Sequence, residues 1–207
     1  MREERIVLAG RELVIARPDD PESLIDESRF DEDEFLPYWA ELWPAGLALA
    51  RHVAGLNLRE KRVLELGCGL ALPSLAAALA GGDVLATDWA PEAIELVALN
   101  AALNAVSLGS AVLDWRSGGA TDAASFDLVV AADVLYEERN AAPLLHVLAK
   151  AVAPDGEALI ADPGRRHAPA FFERARREGW STEHSAVAEL PAGGITVLRR
   201  VENPATG

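Results

Sequence analysis

The chain has 207 residues, half of them apolar, and carries a formal net charge of −14, with 33 Asp and Glu against 19 Lys and Arg. That length suits one domain with a sizeable core, and no apolar run approaches the ~20 residues that a membrane-spanning helix needs. The negative balance argues against nucleic acid as the main partner; the single cysteine, Cys68, excludes a disulfide framework and argues against a cysteine-based zinc site.

The start, Met1-Arg2-Glu3-Glu4-Arg5, is charged and leads into no signal-type apolar region, so a cytoplasmic location with no membrane partner is expected. Residues Ile6 to Arg17 read as a β-hairpin: Ile6, Val7 and Leu8 precede Ala9-Gly10-Arg11, and Leu13, Val14 and Ile15 follow. Pro18 ends the second strand. An acidic connector then runs to Phe35; between Asp19 and Glu34 nine acids face only Arg29. It reads either as a solvated connector or as a surface that attracts a basic protein substrate. Residues 1–35 are thus expected to form a hairpin and connector, and 36–207 the main part of a single-domain chain.

Pro37-Tyr38-Trp39-Ala40-Glu41-Leu42-Trp43-Pro44 leads into a helix at about Ala45 to Ala54. From there strands and helices alternate. Strands are expected at Arg62–Leu66, Val84–Asp88, Ala111–Trp115, Leu128–Ala132 and Ala158–Ala161, and helices near Leu72–Ala80, Pro91–Asn104, Ala141–Val152 and Pro169–Glu178. Pro91 suits a first helical turn, and Pro154-Asp155-Gly156 is turn chemistry. Strands rich in Val, Leu and Ala on both faces imply a parallel sheet covered on both sides. The end differs: Thr182–Leu190 and Ile195–Val201 flank Pro191-Ala192-Gly193-Gly194 and read as an antiparallel pair.

The first of those parallel strands ends in Glu65 and opens into the turn Gly67-Cys68-Gly69; the second stops on Asp88, about 20 residues later. Glycines let the backbone approach a ligand without a Cβ in the way, and a strand-end Asp can accept from ribose hydroxyls. A dinucleotide site would carry a third glycine, but Leu72 and Pro73 follow here, and Glu65 is an awkward neighbour for an anion. S-adenosylmethionine, with an adenosine, a sulfonium, an ammonium and no phosphate, suits the turn better. An ordinary strand–turn–helix is the bland alternative, and Cys68 reads as a small turn filler rather than a nucleophile.

Loops after parallel strands gather on one sheet edge. There Asp88 would hold the ribose, Trp89 would lie against the adenine, and Asp114 would accept from its amino group with the Trp115 backbone beside it. Trp39 and Trp43 are four apart and share a face if helical, so that Trp43 could cover the methionine end. Each tryptophan also reads as plain packing. Ala132, the last residue of the fourth strand, is counted with the cofactor residues. His52, His146 and His184 lack metal-ligand spacing, so no metal is assigned, and neither Ser74 nor Ser125 has a nucleophile-elbow context.

With these features the chain resembles the seven-stranded S-adenosylmethionine-dependent methyltransferases over nearly everything after Phe35. Asp133-Val134-Leu135-Tyr136 resembles the Asp-x-x-Tyr signature of the family-16 protein methyltransferases, most of which act on lysine. Trp43-Pro44-Ala45-Gly46, with Pro37-Tyr38-Trp39, is similar to that family's tryptophan–proline segment, and the N-terminal hairpin suits it too. Asp162-Pro163-Gly164-Arg165 resembles a segment in the branch that methylates the electron transfer flavoprotein beta subunit; other bacterial relatives are labelled as predicted nicotinamide N-methylases. Leu70-Ala71-Leu72-Pro73 departs from the pattern by lacking a further glycine that some members carry.

The resemblance implies a Rossmann-like α/β fold: a seven-stranded sheet with helices on both faces, an antiparallel C-terminal strand pair and an N-terminal β-hairpin extension. It implies N-methyl transfer to a lysine of a protein substrate, with a small amine or nicotinamide-like nitrogen as the alternative and a non-catalytic binding module as a third reading. Asp133 would aim the amine and Tyr136 would wall or hydrogen-bond the channel. A carboxylate beside the amine stabilises ammonium, so Asp133 suits capture and aim better than activation. Arg165-Arg166-His167 reads either as a contact to a substrate surface or, chiefly, as a solvated loop.

Overall fold

A computed structural model describes residues 1–20, 37–117 and 126–201. Most of the acidic connector, and Ser125, lie outside these described residues. The elements run β1 (Arg2–Leu8), β2 (Arg11–Arg17), α1 (Pro44–Val53), β3 (Arg62–Leu66), α2 (Leu72–Leu79), β4 (Asp83–Asp88), α3 (Pro91–Leu103), β5 (Gly109–Val112), β6 (Phe126–Ala132), α4 (Ala141–Ala151), β7 (Val152–Asp162), α5 (Ala168–Arg177), β8 (Trp180–Ser185) and β9 (Gly194–Arg200). Strands β3 to β9 form one seven-stranded sheet in the order β5-β4-β3-β6-β7-β9-β8. The pairs β3–β4, β4–β5, β3–β6 and β6–β7 are parallel, while β9 runs antiparallel to both β7 and β8. The expected fold class is the observed one.

Strand interiors explain this. Val63, Leu64, Leu66, Val129, Val130, Ala131, Leu159 and Ile160 are all buried, because helices cover both faces of the sheet's central strands, whereas the edge strand β5 is exposed. One core forms under α1, α2 and the hairpin, and a second under α4 and α5. The chain winds outward through β3, β4 and β5, then returns to β6 beside β3. That reversal opens a crevice at the strands' C-terminal ends.

Three expected elements shift. The strand placed at Ala111–Trp115 ends at Val112, and Trp115–Ser117 forms a 3-10 turn; the Asp114 carboxylate accepts from Arg116 N–H at 3.0 Å and bends the chain there. Pro154-Asp155-Gly156 turns inside a strand: pairing jumps from Phe126–Val152 to Leu128–Glu157, so the intervening residues bulge out of the ladder. The strand expected to reach Leu190 stops at Ser185. The turn before β9 needs Gly193, where a Cβ would lie 1.9 Å from the Asp162 carbonyl oxygen.

The hairpin, expected as an N-terminal extension, packs into the first core. Ile6, Leu8, Leu13 and Ile15 are buried, each a gain of roughly 2 kcal/mol. Two asparagines four residues apart, Asn100 on α3 and Asn104 at its C-cap, then read the main chain of β2. Asn104 accepts from Val14 N–H at 2.8 Å and donates to Val14 C=O at 2.7 Å. Asn100, fully buried, accepts from Ala16 N–H at 2.7 Å and donates to both Ala16 C=O and Leu70 C=O at 3.3 Å. Each amide acts as a one-residue strand partner on the free edge of β2.

Candidate active site

A cavity of about 460 Å³ occupies the crevice, lined by residues following β3, β4 and β6 and by the segment ahead of α1. Its volume lies in the range of small-molecule sites. The turn after β3 makes its floor. Gly67 and Gly69 both take positive φ, +68° and +48°, and a Cβ on Gly69 would lie 2.9 Å from the Trp39 carbonyl oxygen. Only glycine fits there. Asp88 braces the turn from β4: one oxygen accepts from Gly69 N–H at 2.9 Å and the other from Ala90 N–H at 3.0 Å, at the start of α3. Asp88, placed by sequence as a ribose acceptor, therefore also fastens the turn, with the Trp89 backbone N–H as a further donor to its carboxyl.

Glu65 is 1 % exposed and serves the fold as well as the wall. It accepts from the Ser74 backbone N–H at 2.9 Å and from the Ser74 hydroxyl, capping the first turn of α2 from a distance. Burial pushes its pKa up from 4.5 to about 8; the Ser74 hydrogen bonds oppose this and nearby Asp88 adds to it. The carboxyl is thus mostly protonated at neutral pH. It gains its charge most readily beside a cation, which sharpens the expectation that this wall faces a positive ligand.

A stability signature follows. Between 4.5 and about 8 the folded chain holds a Glu65 proton that the unfolded chain has lost, so stability falls as pH rises through that window. Burial also raises Asp88 and Asp162, with the same sign. We expect Glu65→Gln to flatten the fall in melting temperature between the two ends of the window; identical slopes in both proteins would contradict this. Burial, with Asp88 and Glu65 close by, likewise pushes the Cys68 thiol up, which suits a turn filler and not a thiolate nucleophile.

After β6, the strand next to β3, Asp133 takes φ +57°, a left-handed conformation that Asp tolerates better than most residues. Its N–H donates to the Ala161 carbonyl at 2.9 Å, tying this turn to β7. Tyr136 lies beside it, packed edge-on against Tyr38 with ring centroids 5.6 Å apart, and Tyr38 packs edge-on against Trp43 at 6.0 Å. Trp43 Nε1–H donates to the Tyr38 carbonyl at 2.8 Å. Trp39 and Trp43 do not share one helix: Tyr38–Ala40 is a short 3-10 turn and Trp43 is the N-cap of α1. Both still line the cavity.

Of the positions singled out by sequence, Trp43, Glu65, Gly67, Gly69, Asp88 and Trp89 line the cavity, as do Trp115, Ala132, Asp133 and Tyr136. Asp114 does not: its carboxylate turns to Arg116, accepting from Arg116 Nε–H at 3.1 Å as well as from its backbone. The Arg116 guanidinium instead enters the lining and lies over one face of Trp89, 5.3 Å from the ring centroid. Arg165, read as part of a solvated loop, also enters the lining and grips Asp133 through two hydrogen bonds, Nε–H to Oδ1 at 2.7 Å and Nη2–H to Oδ2 at 2.9 Å. The motif Asp162-Pro163-Gly164-Arg165 carried the signal that could have found it.

The residues present fit a nucleoside-bearing cation. Asp88 sets an acceptor carboxyl beside the glycine floor, Glu65 gains its charge most readily beside a cation, and the floor admits a close-lying ligand without a Cβ. Among the described residues no helix is long and apolar enough to cross a membrane.

A profile of the lysine methyltransferase family matches residues 28–178. The electron transfer flavoprotein beta subunit lysine methyltransferase of Danio rerio is 38 % identical over 135 residues, covering 62 % of this chain and 51 % of that protein. The EEF1A lysine methyltransferase 3 of Mus musculus is 34 % identical over 142 residues, covering 65 % and 61 %. The chain spans about half the length of the first of these curated relatives. Among solved structures, the 16S rRNA N2 G1207 methyltransferase of T. thermophilus aligns with TM-score 0.69 at 18 % identity over 97 % of this chain and 50 % of that one. A TehB-like methyltransferase of Corynebacterium glutamicum aligns with TM-score 0.60 at 22 % identity over 79 % and 89 %. These two likenesses speak for the fold.

Proposed function

The chain belongs to the lysine methyltransferase family, and from that premise we propose that it transfers a methyl group from S-adenosylmethionine to a lysine amine of a protein substrate. The observation that carries this reading is one cavity lined by two chemically distinct groups of residues carried on neighbouring strands. The glycine floor, Asp88 and Trp89 offer a nucleoside seat, while Asp133 and Tyr136 stand where a side chain would enter past Tyr38, which is 41 % exposed. Relatives named for the electron transfer flavoprotein beta subunit make that protein the first substrate to try.

When bound, S-adenosylmethionine supplies an electrophilic methyl group on a sulfonium. The chain's own residues position and exclude. Asp88 would accept from a ribose hydroxyl beside its backbone donors. Trp43 and Tyr38 would cover the donor's methionine end and keep water from the line of attack. Asp133 would take a hydrogen bond from the amine and aim its lone pair across the cavity, with the Tyr136 ring closing one side. Positioning of this kind is the main lever available in an in-line displacement.

The test is incubation of a lysate of the source cells with radiolabelled S-adenosylmethionine and the purified enzyme, followed by separation of proteins from small molecules. Label is expected in protein, on lysine. Label confined to small molecules would replace the protein substrate with a small amine.

A further inference from the structure

A lysine amine has a pKa of about 10.4 in water, and only its neutral form can attack a methyl group. A lone carboxylate at the point of capture works against this, because it stabilises the ammonium. Asp133 is not alone. Its side chain is only 6 % exposed, and its two oxygens meet the Arg165 guanidinium fork to fork at 2.7 and 2.9 Å. The arginine is held for this contact. Gly164 N–H and Arg165 N–H both donate to Asp162 Oδ1, at 2.8 and 2.7 Å. Gly164 takes φ +100° against the turn at Ala192, where a Cβ would lie 2.5 Å from the carbonyl oxygen. A turn this tightly specified, presenting one guanidinium to one carboxylate inside the cavity, is not a solvated loop.

We propose that Arg165 is a positioning residue for the amine: by pairing with Asp133 it cancels the charge that would hold the incoming lysine protonated, so that the site accepts the neutral amine. The inference rests on the amine-methylation reading above and deepens it. Arginine keeps its proton at any working pH, and Asp133 strengthens that hold. A carboxylate offers about four lone-pair sites and the fork uses two of them. The outer pair can still accept an amine N–H and aim it. A second cation beside the fixed guanidinium is disfavoured, so the proton leaves to solvent as the amine enters. The other charged or titratable groups around this pair are Asp162 on the same turn, Tyr38 ahead of α1, Tyr136 and Glu137 after β6, Glu41, and Arg116 beyond Tyr136.

The proton count tests this without turnover. Calorimetric titration of N-acetyl-lysine methylamide into protein saturated with S-adenosylhomocysteine, near pH ~8 in buffers of different ionisation enthalpy, gives the protons released per amine bound. Wild type is expected to release about one, because the free probe is almost wholly ammonium there. Arg165→Ala should bind the ammonium and release close to none, and Arg165→Lys should stay near wild type. S-adenosylhomocysteine affinity measured on each variant reports whether it is folded. Equal proton release by wild type and Arg165→Ala, or none by wild type, overturns the role of Arg165 and leaves amine methylation standing. Failure of wild type to bind the probe overturns the amine reading itself, and the role of Arg165 falls with it.

Discussion

Replacing Asp133 with alanine is expected to lower methyl transfer by about a thousandfold, the scale of losing an aligned hydrogen-bonding partner for the nucleophile, while S-adenosylhomocysteine affinity changes less than about threefold. The separation follows from separate anchoring: the Asp133 carboxylate is paired with Arg165, and the glycine floor is fastened independently by Asp88. Two things change at once in this variant. The aiming oxygens vanish, and the Arg165 guanidinium is left beside the channel as an uncompensated charge that repels an incoming ammonium. Asp133→Asn separates them, since asparagine keeps the left-handed backbone and one acceptor. We expect it to lose about a hundredfold, on the same positioning grounds. Single-turnover rates at saturating cofactor check both values; near-normal turnover in Asp133→Ala would remove Asp133 from the chemistry.

The largest effect on stability is expected at Asn100. Its amide is fully buried and spans three main-chain groups, two on Ala16 and one on Leu70. Truncation to alanine strands the N–H and C=O of Ala16, itself buried, and an unsatisfied buried polar group costs about 1–3 kcal/mol. We expect Asn100→Ala to lose about 3 kcal/mol, which for a chain of this size is a fall of roughly 6–12 °C in Tm. Asn104→Ala should lose about half as much, because its partners on Val14 are only part-buried and can turn to water. A two-state melt showing equal losses at the two positions would mean that the amides merely fill space.

The fold was legible because burial on both faces leaves a plain mark. Val63, Leu64, Val129 and Leu159 sit in strands with no polar alternation, and glycines punctuate the ends. The floor of the site was legible for a related reason: a turn that must admit a ligand needs glycine, and the strand ends carry their acids one residue from the edge. What the sequence hid were contacts between distant residues of ordinary type. Asn100 and Asn104 look like any polar pair on a helix, yet their partners lie 84 and 90 residues away. Arg165 grips a carboxylate 32 residues distant, and its place at the end of Asp162-Pro163-Gly164-Arg165 is what sets it apart from Arg166 and His167 beside it. Asp114 looked like the next strand-end acid in a series. It was lost to the site because its own chain offered Arg116 two residues on, and a local partner closes before a remote one.

Because the two amides at the end of α3 and its cap grasp main-chain atoms of β2, the hairpin's attachment asks little of its outward side chains. Glu3, Arg5, Val7 and Glu12 point away from the core, and their replacement leaves the grip on Val14 and Ala16 unaltered. Drift can therefore rewrite that outer face while the clasp beneath it holds. For an enzyme whose kin modify different proteins, it is a place where new recognition can be tried without unsettling the catalyst.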